Sequence, residues 1–427
     1  MRLTIRGARL VDPAGGLDTV ADLHVADGRI AALGPAPAGF VPERVIEAAG
    51  LVACPGLVDL AARLREPGQE HKATIASETR AAAAGGITTL CCPPDTEPVI
   101  DTPAVAELIQ RHARAAGFAR VLPIGAVTQG LAGAQLSEMA ALREAGCVAV
   151  GDGLEPLGDP LLLRRAMAYA ATFDLPLHLR PEDPALRDGG IAHEGRVATR
   201  LGLPGIPPSA ETVAIARALA LAEETGARVH FCRLSTARGV ALVRRAKAEG
   251  LAVTADVSAH QLHLTEDDLE GFDPQCHLRP PLREGADREA LRAGLADGTL
   301  DAVCSDHQPH EADAKLAPFG ETEPGISALE TLLPLTLALV ADGVCDLATA
   351  LARLTAGPAA VLGLAPPRLA PGAVADVCLF DPDAAWTVEA ATLRSRGRNS
   401  PFLGRTLRGR VRWTLLEGRI VHEEPAP

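Results

Sequence analysis

Short apolar runs rich in β-branched residues alternate eight times with longer Ala/Leu/Arg stretches of helical period, and this alternation constrains the fold more than any other feature. The runs are 51–61 (LVACPGLVDLA), 88–92 (TTLCC), 120–127 (RVLPIGAV), 147–153 (CVAVGDG), 176–181 (PLHLRP), 228–235 (RVHFCRLS), 253–260 (VTADVSAH) and 301–307 (DAVCSDH). Helical stretches between them include 77–86, 161–173, 210–226 and 237–250. Parallel strands need long crossovers, and eight strand-helix units close into a barrel. Both ends of the chain read differently, as short strands broken by turns, with Asp27-Gly28 and Glu417-Gly418 placed as hairpin turns. The expected architecture is a (β/α)8 TIM-type barrel over 53–365. Residues 1–52 and 366–427 are expected to form one small β-sandwich.

Composition supports a folded chain and narrows its partners. Of 427 residues, 47% are hydrophobic and 22% charged, enough apolar material for a large core. A net charge of −13 disfavours a nucleic-acid partner. No apolar run reaches the ~18 residues of a membrane span, and MRLTIRGARLVD lacks the apolar stretch of a secretory signal, so neither a membrane nor export is expected and the cytoplasm is the expected compartment. The nine cysteines sit mostly inside apolar runs and read as buried free thiols. Lysine occurs only at 72, 247 and 315.

Functional side chains of such a barrel project from the C-terminal ends of its strands. Those ends carry Asp59 to Arg65, Cys91 to Thr96, Asp152-Gly153, Arg180 to Asp183, Cys232 to Ser235, Ser258 to Gln261 with Arg279 to Arg283 beyond, and Ser305 to His310. Arginines and carboxylates dominate them. Arginine carries a permanent charge and no lone pair, so it cannot ligate a cation.

Several stretches together resemble the class I dihydroorotases of the amidohydrolase superfamily: PGLVDL (55–60), LREPGQEHKATIASETRAAAAGGITT (64–89), LGLPGIPPSAE (201–211), PPLR (280–283), SDHQPH (305–310), GISALET (325–331) and SPFLGRTLRGRV (400–411). The resemblance implies a zinc centre held by histidines after strands one, five and six, an acid or carboxylated lysine on strand four and an aspartate on strand eight. Carried over residue by residue, the histidine positions fall on Ala61, Arg63, Arg180 and Arg233, and the strand-four acids on Asp152 and Gly153. Only Asp306 matches. Among the substrate positions that the resemblance implies, Arg65 and His310 are kept, while two asparagines are replaced by Asp95 and Arg279.

The loss bears directly on the reaction. Zinc lowers the pKa of its water from about 15.7 to about 7, roughly 12 kcal/mol of nucleophile activation. A lone carboxylate of ordinary basicity does not replace that, so no zinc and no turnover are expected. Two readings of the strand-end arginines stay open: an anion site at the barrel mouth, or ion pairs of Arg63, Arg180 and Arg233 with Asp59, Asp152 and Asp306 in place of the metal charge. The pairs His260/His263 and His307/His310 leave a relocated metal open as well, and His178 stands two residues from the strand-five position. The resemblance implies a dihydroorotase-like, non-catalytic subunit of pyrimidine biosynthesis that assembles with aspartate carbamoyltransferase, and this chain is also expected to form a homo-oligomer. The alternative is an active cyclic amidohydrolase with an atypical metal site.

Overall fold

The computed structural model of the chain describes residues 2–424. Eight parallel strands form its centre: β1 (Leu57–Asp59), β2 (Ile87–Cys92), β3 (Arg120–Ala126), β4 (Ala149–Gly151), β5 (Leu177–Leu179), β6 (Val229–Phe231), β7 (Val253–Ser258) and β8 (Ala302–Cys304). They pair in chain order from β1 to β8. Closure runs through loop backbone just past β1 and β8, where the Arg63 amide donates to the His307 carbonyl (2.9 Å) and the His307 amide to the Ala61 carbonyl (3.1 Å). Side chains alternate along each strand. Leu177, Leu179, Val229 and Phe231 join the core under the helices, while His178 and His230, paired in register, turn toward the barrel axis.

The helices follow from local signals. The first, Ile75–Ala84, starts two residues before the run at 77–86, because Thr74 caps it by accepting from the Ser77 amide (3.1 Å). It stops at Gly85-Gly86. Pro160–Thr172, Pro208–Thr225 and Ala237–Ala248 match the other helical stretches to within two residues.

The run 51–61 is divided between two sheets. Val52–Pro55 pairs antiparallel with Val377–Thr387 and parallel with Leu3–Asp12, and only Leu57–Asp59 enters the barrel. The other strands from both ends complete one continuous sheet of eight with its own core of Leu3, Ile5, Leu23, Val377 and Leu415. Both expected hairpin turns are present. Asp27, Gly28, Glu417 and Gly418 all have φ between 50° and 76°, the left-handed pair that a two-residue turn of this hand requires. Eight of the nine cysteines are buried and all are free thiols.

Gly86 marks the contact between barrel and terminal sheet. Its φ is 81°, and a Cβ there would lie 2.4 Å from Cys378 Sγ. Gly86→Ala is expected to cost about 2 kcal/mol through backbone strain and overpacking. Urea unfolding measures it, and an unchanged midpoint would show that the two units are not packed through this contact.

Candidate functional site

The strand ends turn a set of charged side chains into the barrel mouth. Arg65, Arg233 and Asp306 hold φ of 64°, 58° and 47°, left-handed values that non-glycine residues adopt only when surrounding structure enforces them. Arg63, 3% exposed, donates from Nε to Asp95 (2.5 Å) and from Nη1 to Asp306 Oδ1 (3.2 Å). Arg233 Nε stands 3.5 Å from the same Asp306 oxygen. The second Asp306 oxygen accepts from Gln308 (3.2 Å). One carboxylate thus faces two guanidinium groups.

Arg180 has less company. Its Nη2 lies 3.5 Å from Glu182, but Glu182 is held more tightly by Arg279, whose Nη2 approaches to 2.5 Å. Burial, opposed by Glu182 and reinforced by Arg279 and Arg233, pushes the Arg180 guanidinium down to about 9. Arg279 also meets Glu155 at 3.2 Å.

The expected partnership of three arginines with Asp59, Asp152 and Asp306 needs correction for two of the acids. Asp59 accepts from the Ser305 amide (2.8 Å) and Ser305 Oγ (2.5 Å), which occupies it in closing the barrel between β1 and β8. Asp152 accepts the Arg180 main-chain amide (2.9 Å) and no guanidinium N–H. Asp95 takes the place of Asp59 as the partner of Arg63, and Glu182 that of Asp152 as the partner of Arg180. Asp306 is paired as expected.

Burial pushes both displaced acids up from the ordinary 3.8 to about 7, against the hydrogen bonds that each accepts. For Asp152 the sign follows directly: a carboxyl whose folded pKa exceeds its unfolded one loses stability as pH rises from about 4 to about 7. Asp152→Asn removes this term. Relative to the wild type, the variant is expected to be more stable at pH 8 than at pH 5, by about 2–4 kcal/mol for a shift of this size. Unfolding midpoints at the two pH values check it, and parallel pH profiles would contradict it.

The four substrate positions suggested by the resemblance all bond within the protein. Arg65 donates to the Pro309 carbonyl (3.0 Å) and to Gln69 (3.2 Å), and its Nη2 lies 3.1 Å from His310 Nε2. Burial and the cations of Arg65 and Lys72 hold His310 down to about 2, a neutral imidazole. Asp95 and Arg279 are tied into ion pairs. Sequence reasoning placed Glu182 at a strand end without a partner and missed Asn399. Asn399 accepts the His310 amide (2.8 Å) and donates to the Gln308 and Gly325 carbonyls, fixing the loop after β8. An acid two residues beyond Arg180 was a usable signal for Glu182; nothing local marked Asn399.

The donor set at the zinc positions does not fit zinc. Ala61 offers a methyl group, Arg63, Arg180 and Arg233 offer cations, and Gly153 offers no side chain. The four histidines in the two spaced pairs are dispersed: His260 meets Ser258, His263 the Leu335 carbonyl, His307 Glu78, and His310 Arg65. Among the described residues one group of three metal-type donors converges, His178, His230 and Cys232, one layer deeper in the barrel with ligand atoms within 4.8 Å of one another. Both His230 nitrogens already face protein partners, Thr254 at 2.9 Å and Asp256 at 3.1 Å. Burial raises the Cys232 thiol well above its ordinary range, and the Arg233 cation lies close to both Cys232 and His178.

A β/α barrel with its polar side chains gathered at the strand ends, joined to a sheet built from both termini, has the architecture of the amidohydrolase superfamily. The structure of the L-hydantoinase (dihydropyrimidinase) from Arthrobacter aurescens superposes with a TM-score of 0.87 at 25% identity, covering 99% of this chain and 96% of that one. The family description "Dihydro-orotase-like" matches residues 50–238. A dihydroorotase-like protein of Pseudomonas aeruginosa is 56% identical, with 99% of this chain and 100% of that protein aligned. A dihydroorotase of Anaeromyxobacter dehalogenans is 47% identical over 99% and 98%. The chain belongs to the dihydroorotase-like family. No helix among the described residues is long and apolar enough to cross a membrane.

Proposed function

We propose that this chain is a non-catalytic member of its family in pyrimidine biosynthesis, binding no zinc and serving as an assembly partner of aspartate carbamoyltransferase. The observation that carries the non-catalytic part is the guanidinium cluster at the zinc positions: Arg63 and Arg233 direct positive charge at Asp306, the one retained ligand equivalent. A divalent cation there would meet three arginines, and repulsion between charges in a buried site is weakly screened. The partner role extends the family resemblance: fold does not imply function, and a framework without its reactive centre can serve as a scaffold. Greater identity to a protein named dihydroorotase-like than to one named dihydroorotase supports the same reading.

Co-expression with the carbamoyltransferase of the same genome tests the partnership. The two chains are expected to co-elute in size-exclusion chromatography, with the carbamoyltransferase losing activity when this chain is removed. Separate elution with equal activity would overturn it. The second reading, an active cyclic amidohydrolase with a relocated metal, rests on the His178/His230/Cys232 group alone.

A further inference from the structure

The arginine cluster is incompletely satisfied. Arg63 Nη2, Arg180 Nη1 and Nη2, and Arg233 Nε are all buried nitrogens without a hydrogen-bond partner. A guanidinium cannot shed its proton to relieve this: Arg180 Nη2 and Arg233 Nε have only long approaches of 3.5 Å to Glu182 and Asp306, and Arg63 Nη2 and Arg180 Nη1 have no acceptor. Buried donors are almost always paired in folded proteins, and charged ones cost the most when they are not.

The pairing is also uneven. Arg63 and Arg233 share Asp306, Arg63 also meets Asp95, and Arg180 and Arg279 share Glu182, with Glu155 reaching Arg279 from the exposed rim, whereas Asp256 beside Arg233 accepts its main-chain amide. Asp152 sits beside the cluster but spends one oxygen on the Arg180 main-chain amide. Arg63 and Arg233 converge on one oxygen of Asp306, and Arg180 is close enough to feel both Arg233 and Asp306. The unpaired donors therefore belong to guanidinium groups that gather about Asp306.

We propose that this cluster is a binding site for one small anion, of halide or single-carboxylate size, held by Arg63, Arg180 and Arg233. Guanidinium groups suit such a ligand because they are planar, permanently charged and weakly hydrated. Packing limits its size. A Cβ on Gly153 would stand 3.3 Å from Leu131 and 3.4 Å from Asp95, so the edge of the cluster beside Asp95 is closely packed. A cleft of about 250 Å³ lined by Thr128, Leu131, Asp152 and Glu155 reaches the edge of the cluster at Asp152. The site lies at the zinc positions that the resemblance implies, and it does not depend on the carbamoyltransferase reading.

Two measurements test it on the full chain. Thermal unfolding is followed in sodium bromide, sodium formate and sodium isethionate at constant ionic strength. Bromide or formate is expected to raise Tm by about 1.5 °C per tenfold increase above its Kd, given the unfolding entropy of a chain this long, with the bulkier isethionate inert. Arg180→Met is expected to lose that response, while the exposed Arg164→Met keeps it. Crystals grown with bromide are expected to show an anomalous peak in contact with the three guanidinium groups; its displacement by formate would assign a carboxylate site and its persistence a halide site. Equal Tm in all three salts would overturn the proposal. So would bromide-soaked crystals with only water among the arginines, a result that needs no variant to fold.

Discussion

Asp306→Asn is expected to destabilise the folded chain by about 3–5 kcal/mol, the range seen when one member of a buried ion pair is neutralised and its partner stays charged. Asparagine is nearly isosteric, keeps an acceptor for Gln308, and tolerates the left-handed backbone that Asp306 adopts at φ 47°. What the substitution removes is therefore the charge. Arg63, Arg233 and Asp306 are each less than 10% exposed, so solvent screens little of the loss. In a zinc enzyme the same change would remove a ligand and act first on turnover; on the proposed non-catalytic reading it acts on stability. Equilibrium urea unfolding measures it. A midpoint within error of the wild type would mean that the guanidinium groups draw their compensation from elsewhere.

Glu78→Ala is expected to cost a similar ~3–5 kcal/mol, from a different buried network. Glu78 lies in the first turn of Ile75–Ala84, where a carboxylate is favoured by the helix dipole. Its oxygens accept from Ser77 Oγ (2.7 Å), Ser395 Oγ (2.6 Å) and the Arg396 amide (3.1 Å), and one lies 2.8 Å from His307 Nε2. Three distant parts of the chain meet on one carboxylate: the first helix, the loop after β8 and the C-terminal segment. Burial alone would raise its pKa, but His307 and the donors from Ser395 and Arg396 outweigh burial and hold it below 4.5. A depressed carboxyl stabilises the fold above its unfolded pKa and loses that contribution as pH falls through the lower folded value. Wild-type stability is therefore expected to fall on acidification below about pH 4.5, and Glu78→Gln, which keeps the shape without the titration, is expected to flatten that arm. An equal acid arm in the variant would remove Glu78 from the account.

The fold was legible because period carries it. Alternation between β-branched runs and helical stretches located all eight barrel strands, and Asp27-Gly28 and Glu417-Gly418 announced their turns through residues that accept positive φ. The division of 51–61 between two sheets was not legible, since Val52–Pro55 and Leu57–Asp59 are equally apolar and only pairing with Val377–Thr387 separates them. At the mouth, the strand ends showed which charges gather but not which acid meets which arginine. Asp59 reads like any other strand-end acid, yet Ser305, 246 residues away, occupies it. Asp95 reads like a substrate contact, yet its carboxylate lies within 2.5 Å of Arg63. Such choices are made between residues far apart in the chain, which residue spacing does not reach.

The substitution of arginine-carboxylate pairs for a zinc centre is the central claim, and one sample decides it: protein purified without chelator, with zinc quantified by mass spectrometry and dihydroorotate hydrolysis measured in the same tube. The expected result is far less than one zinc per chain and no hydrolysis above the buffer rate, unchanged by added zinc. Stoichiometric zinc accompanied by turnover would contradict it.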